Sequence, residues 1–168
     1  MLRETIHDLA RQYADEFIDI RHHLHAHPEL SYQEYKTSAF VQEKLNSWGI
    51  PFNVIAGTGI VGLIQGKPSD RVIALRADMD ALPIMEANDV NYASRNPGVM
   101  HACGHDVHTT CLLGAAKILN ETRQKWEGTV KLIFQPGEEK NPGGASLMIK
   151  EGALENPKPQ GIIALHVH

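Results

Sequence analysis

The chain has 168 residues, of which 42% are hydrophobic and 21% charged, with a net charge of -4 at neutral pH. That balance suits one globular domain with a real core and excludes disordered and collagen-like chains. It carries no basic cluster to track a phosphate backbone, so nucleic acid is set aside as a partner.

The first twenty residues carry Arg3, Glu4, Asp8, Arg11, Asp15, Glu16 and Asp19, which leave no room for a secretory apolar core. No later run is long enough to span a bilayer, so a cytoplasmic protein without a membrane partner is expected. Cys103 and Cys111 are the only cysteines, too few for a disulfide framework, and are expected as thiols. Leu2, Ile6, Leu9, Tyr13, Phe17, Ile20 and Leu24 recur every three or four residues, which predicts one amphipathic helix ending before Pro28. Ser31 and Glu34 have capping-box spacing, which predicts a second helix running to about Trp48, with Gly49 as its stop.

The period then changes. Gly59–Gln65 and Arg71–Arg76 read as strands joined by a turn at Lys67–Asp70. A long irregular stretch from Pro83 to Met100 follows, of a length often tied to function. A helix is expected from about Asp106, with Leu112, Ala115, Ala116 and Leu119 on one face. Thr129–Phe134 is a strand, Gly144–Glu151 a short helix stopped by Gly152, and Gly161–Val167 a last strand. This alternation predicts an α/β three-layer sandwich with a largely parallel sheet, which binds ligands beyond the carboxyl ends of its strands.

Chemistry-bearing residues stand at those ends. Asp78 and Asp80 follow one strand, Glu138 and Glu139 another, and His166 a third, while Cys103 and His105 precede a helix. Singly each is ambiguous. A cysteine is most often a small buried hydrophobe, which fits Cys111 beside Leu112; Cys103 lies among polar, glycine-broken residues instead. Adjacent carboxylates usually mark a solvated face, but Glu138 and Glu139 follow a buried strand and a Pro-Gly turn. Neighbours in extended chain point apart, so one can bind metal while the other takes a proton. Asp78 and Asp80 read as a helix cap or an Arg76 partner, or as carboxylates orienting a ligand imidazole through its other nitrogen, and the last is favoured over direct ligation. His166 ends its apolar run and is a better ligand candidate than His168, two residues on. His22, His23, His25 and His27 surround a helix end and take a solvent-facing or capping part suited to the helix dipole.

Four motifs occur in order: LHAHPELS from Leu24, LRADMDALP from Leu75, MHACGHDVH from Met100 and FQPGEE from Phe134. Together they resemble the metal-dependent amidohydrolases of the aminoacylase, hippurate hydrolase, auxin-conjugate hydrolase and N-acetyldiaminopimelate deacetylase type. The resemblance implies a zinc-exopeptidase-like catalytic domain with two divalent metal ions. It implies Cys103, His105, Glu139 and His166 as ligands and Glu138 as general base. The implied reaction is hydrolysis of the amide bond of a small-molecule N-acyl amino acid or related amide by metal-activated water. Thiolate, imidazole and carboxylate together suit zinc, though the mixed set also admits manganese, cobalt or nickel.

Members of that family are longer. They add a lid and dimerisation domain, which makes homo-oligomers the expectation for full-length relatives, and a late ligand histidine. The reading of residues 1–168 is therefore the N-terminal part of the catalytic domain, with an unpaired sheet edge, an uncovered apolar surface and little or no turnover alone. Two alternatives stay open: a non-catalytic remnant or interaction fragment of such an enzyme, and a thiol hydrolase with Cys103 as nucleophile.

Overall fold

A computed structural model describes residues 1–167, and His168 lies outside the described residues. In chain order the elements are α1 (Leu2–Gln12), α2 (Ala14–Ala26), α3 (Tyr35–Ser47), β1 (Phe52–Ile55), β2 (Gly59–Gln65), β3 (Lys67–Asp78), α4 (His105–Glu121), a 3-10 turn (Arg123–Lys125), β4 (Glu127–Gln135), α5 (Gly144–Lys150) and β5 (Gly161–Ala164). The strands form one mixed sheet in the order β1-β2-β4-β3-β5. The β4-β3 and β3-β5 pairs are parallel, and the β1-β2 and β2-β4 pairs are antiparallel.

Alternation along β4 sorts the core into two layers. Leu132 and Phe134 face a cluster holding Ile20 and Leu24 of α2, Val41 and Leu45 of α3, and Leu112, Leu113 and Ala116 of α4. Ile133, one residue out of phase, faces the other way with Ala74, Met148 of α5 and Ala153. Helices thus cover both faces, as the alternating pattern predicts.

Several expectations are corrected. The first helix is interrupted at Tyr13, where ψ is 8°, giving α1 and α2. β2 and β3 are not hydrogen-bonded neighbours, because β4 lies between them: the amides of Gly66 and Lys67 donate to Gly128 and Trp126. Gly66 is needed there, since a Cβ would run into the Trp126 ring. The Ser31–Glu34 capping box does not form. α3 begins at Tyr35, and both side chains are engaged elsewhere. Cys111 is exposed on α4 rather than packed. His25, expected at a solvent-facing helix end, is 4% exposed.

β5 ends the sheet with all four of its residues exposed, and Ile162, Ile163 and Leu165 present apolar surface beside it. No helix among the described residues is long and apolar enough to cross a membrane.

Candidate metal centre

The parallel half of the sheet gathers three chain segments at one edge. Register pairs Asp78 at the end of β3 with Gln135 at the end of β4, and Arg76 with Ala164 of β5. Each strand then delivers its polar residues just beyond its carboxyl end: Asp78 and Asp80, Glu138 and Glu139, and His166. The fourth contribution comes from the start of α4. Gly104 adopts φ +82°, which turns the chain sharply between Cys103 and His105 and starts the helix at His105. A Cβ there would also strike the Val167 side chain, so this glycine lets the exit of β5 pass close to the site.

His105 is the common member. Its Nδ1 lies 2.8 Å from the Asp80 carbonyl oxygen and 3.3 Å from Asp80 Oδ1. Its Nε2 is buried without a hydrogen-bond partner, 3.6 Å from Asp78 Oδ1 and 3.7 Å from Glu139 Oε1. Cys103 Sγ is 3.5 Å from His166 Nε2. Three donor sets each fall within 4.8 Å: Cys103, His105 and His166; His105, Glu138 and Glu139; and Asp78, His105 and His108. Of the site residues expected from the sequence, Asp78, Cys103, His105, Glu138, Glu139 and His166 fall in these sets, and Asp80 adjoins them through His105.

The surrounding hydrogen bonds distinguish donors that are held from donors that stand open. His108 Nδ1 lies 2.6 Å from Asp78 Oδ1, and its Nε2 accepts the Val167 amide at 3.1 Å. Both nitrogens are thus occupied, and His108 ties the exit of β5 to the end of β3. Asp78 also meets Arg76 Nη1 at 2.6 Å. Asp80 accepts from Ser31 Oγ at 2.6 Å and from the Glu139 amide at 3.0 Å. Burial by itself raises the Asp80 pKa, but hydrogen bonds from His105, Ser31 and the Glu139 and Glu138 amides outweigh it and bring it to about 2. Asp80 is therefore an anion that fixes the orientation of the His105 ring.

The cluster is overcharged with acid. Burial, then a hydrogen bond with Glu139 and the charges of Glu139, Asp78 and Glu138, push the Cys103 thiol up to about 11. Burial would lower the His105 pKa, but the Asp80 hydrogen bond and the charges of Asp78, Asp80 and Glu139 raise it. Sulfur, imidazole and carboxylate donors around an unpartnered buried nitrogen fit a divalent cation, which would offset that charge.

Sequence reasoning gave no site role to His108, Ser31 or Glu34. His108 was traceable from its position three residues after His105, on the same helix face. The others act through contacts distant in sequence. A cavity of about 370 Å³, lined by Phe52, Val61, Leu63 and Lys131 among others, contains none of the site residues. It lies where the antiparallel strands meet the α5 face, away from the donor cluster.

Residues 74–168 match the model of peptidase family M20/M25/M40, and the chain belongs to that family. It is 47% identical over 156 residues to an N-acyl-L-amino acid amidohydrolase of Geobacillus stearothermophilus, covering 92% of this chain and 42% of that protein. It is 45% identical over 152 residues to an N-acetyl-L-cysteine deacetylase of Bacillus subtilis, covering 90% of this chain and 36% of the relative. Among solved structures, it superposes with a TM-score of 0.88 and 39% identity on the Bacillus subtilis YXEP protein, described as a dinuclear metal binding peptidase, covering 94% of this chain and 44% of that one. The chain thus spans less than half the length of these relatives.

Proposed function

We propose that this chain carries the ligands and proton-transfer group of a metal-dependent amidohydrolase acting on N-acyl amino acids or related small amides. The observation that carries the reading is the buried, unpartnered Nε2 of His105 amid the thiol, imidazole and carboxylate donors. The names of the two amidohydrolase and deacetylase relatives above support the substrate class.

Cys103, His105, Glu139 and His166 would hold two divalent ions, zinc or manganese on the donor chemistry. A metal bound there would supply a water whose pKa is lowered to about 7 and a Lewis acid for the amide carbonyl. Glu138 is exposed beside the donor cluster and stands free to take the proton from the attacking water and return it to the leaving amine. Asp80 and Asp78 hold the His105 and His108 rings while this happens. A thiol nucleophile at Cys103 would need a depressed pKa, and the carboxylates around it act in the opposite direction. A cysteine kept as a thiol for metal suits the reducing, cytoplasmic setting read from the sequence.

The uncovered edge at β5, with Ile162 and Ile163 exposed, favours a second reading, in which these 168 residues bind metal but need a covering partner before they turn over substrate. One experiment separates the two. The purified chain is loaded with zinc or manganese and offered N-acetyl amino acids, alongside Glu138→Gln. Hydrolysis that requires metal and disappears in Glu138→Gln, with metal content retained, supports the enzymatic reading. Metal binding without hydrolysis in either protein supports the second. Hydrolysis that survives chelation overturns both.

A further inference from the structure

Residues 31–34, read from sequence as a helix cap, instead hold the loop that carries Glu138 and Glu139. Glu34 is 0% exposed. Its Oε1 accepts the Gly137 amide at 2.8 Å and the Tyr32 amide at 2.9 Å, and its Oε2 accepts Thr58 Oγ1 at 2.7 Å. Tyr32 has φ +66°, a left-handed conformation that is costly for a side chain of this size. Its ring lies where a Cβ on Gly137 would go, and its hydroxyl donates to the Lys140 carbonyl at 2.8 Å. Ser31 reaches the same loop through Asp80, which accepts from both the Ser31 hydroxyl and the Glu139 amide. The loop is therefore gripped at Gly137, Glu139 and Lys140, on both sides of its two carboxylates.

A helix cap does not explain this arrangement. α3 starts at Tyr35 with no side-chain cap bond. A buried carboxylate is expensive unless its lone pairs are filled, and Glu34 fills its own with donors from the loop after β4, the turn before β2 and its own turn. Strained backbone such as that of Tyr32 persists where surrounding contacts over-determine it. Gly137, at φ +54°, admits the Tyr32 ring only because it lacks a side chain.

We infer that Ser31, Tyr32 and Glu34 form a clamp that sets the direction of the Glu138 and Glu139 carboxylates, with Glu34 as its main positioning residue. This rests on the reading of Glu139 as a metal ligand. Its effect should appear in metal binding, because a ligand displaced by about 1 Å loses function steeply, by up to about 100-fold.

The test is a cobalt(II) titration of the full chain, followed by calorimetry and by the thiolate-to-cobalt absorption of Cys103, on Glu34→Ala, Glu34→Gln, Tyr32→Phe and Glu139→Gln. Glu34→Ala is expected to weaken cobalt binding by about 10–100-fold. Glu34→Gln should stay within about threefold, because its oxygen accepts both amides and the Thr58 hydroxyl turns to accept from its nitrogen. The decisive arm is the double variant. Glu34→Ala added to Glu139→Gln should give little further loss if the clamp acts through Glu139, whereas general loosening of the fold would add its full effect. Should Glu34→Ala fail to fold, Tyr32→Phe, which loses only the hydroxyl on Lys140, replaces it in the same cycle with a loss of about 3–10-fold expected. If Glu139→Gln alone leaves cobalt binding intact, the ligand reading fails. If Glu139→Gln weakens binding while the folded clamp variants match the parent, or if the double variant is additive, the clamp is overturned and the ligand reading survives.

Discussion

Two nearly sealed nitrogen side chains stand on different elements, Lys131 on strand β4 and His105 at the start of helix α4. Lys131 of β4 is 1% exposed on the α5 face, and its ammonium donates to the carbonyls of Ala153 at 2.9 Å and Glu155 at 2.6 Å. His105 is also 1% exposed, at the carboxyl edge of the parallel strands, yet its Nε2 has no hydrogen-bond partner. Lys131 is charge made safe by carbonyls just beyond α5, a fastening between helix and sheet. His105 is one nitrogen fastened to Asp80 and one kept open. Burial alone does not mark a candidate site; an unfilled nitrogen amid other potential donors does.

The sharpest way to break this contrast is a pair of substitutions. His105→Gln should weaken cobalt binding by more than about 100-fold while leaving urea unfolding in metal-free buffer little changed, because its amide fills most of the ring's space and can still donate to Asp80. Lys131→Ala should do the reverse, costing about 3 kcal/mol of stability through two stranded carbonyls and a void, with metal affinity unchanged. A His105→Gln protein that unfolds, or a Lys131→Ala protein that loses metal, would dissolve the distinction.

A smaller effect is expected one step away from the open nitrogen. His108→Ala frees the Val167 amide and one bond on Asp78, and should weaken metal binding by about tenfold, read by the same titration. An affinity equal to the parent's would mean that the exit of β5 needs no tether.

His25 offers a test by pH. Its ring is buried between Asp106 Oδ2 at 2.8 Å and Glu86 Oε1 at 2.9 Å, with Arg21 3.4 Å from Nδ1, Tyr92 edge-on and the neutral His101 nearby. The Asp106 hydrogen bond is the main influence raising its pKa, against burial and Arg21. A raised folded-state pKa means that this stabilisation is complete below about 6.5 and is lost as pH rises through the folded value. The stability gap between parent and His25→Asn, from urea unfolding, should therefore be wider at acidic than at alkaline pH; a gap that widens as pH rises would contradict the assignment. The smallest effect belongs to the exposed Cys111. Cys111→Ser should move stability by no more than about 0.5 kcal/mol and leave the thiolate-cobalt absorption intact, whereas Cys103→Ser should abolish it.

The donors were legible because strand ends and a glycine-broken helix start announce themselves locally. Cys103, His105, Glu138, Glu139 and His166 each follow a pattern of a few residues, and parallel topology brings such ends together. Their supports were not legible, because each depends on a partner far along the chain. Ser31 and Glu34 have the spacing of a capping box, but Asp80 and Gly137 claim both side chains. The turn after β2 resembles a hairpin until β4 is inserted beside it, a fact of tertiary pairing. β1 was missed because its middle residues, Asn53 and Val54, are both exposed, leaving no alternation to find.

The bond from Gly137 to Glu34 spans 103 positions, and this bears on the order in which the molecule assembles. Until β4 is in place, Glu34 lacks one of its three donors, and water at the bend between α2 and α3 must fill its place. Early collapse of the helical layer cannot seal that corner. Completion of the sheet and ordering of the candidate metal edge are thereby coupled. A cation that binds only the finished arrangement would pull folding forward by mass action at that step, rather than seeding it.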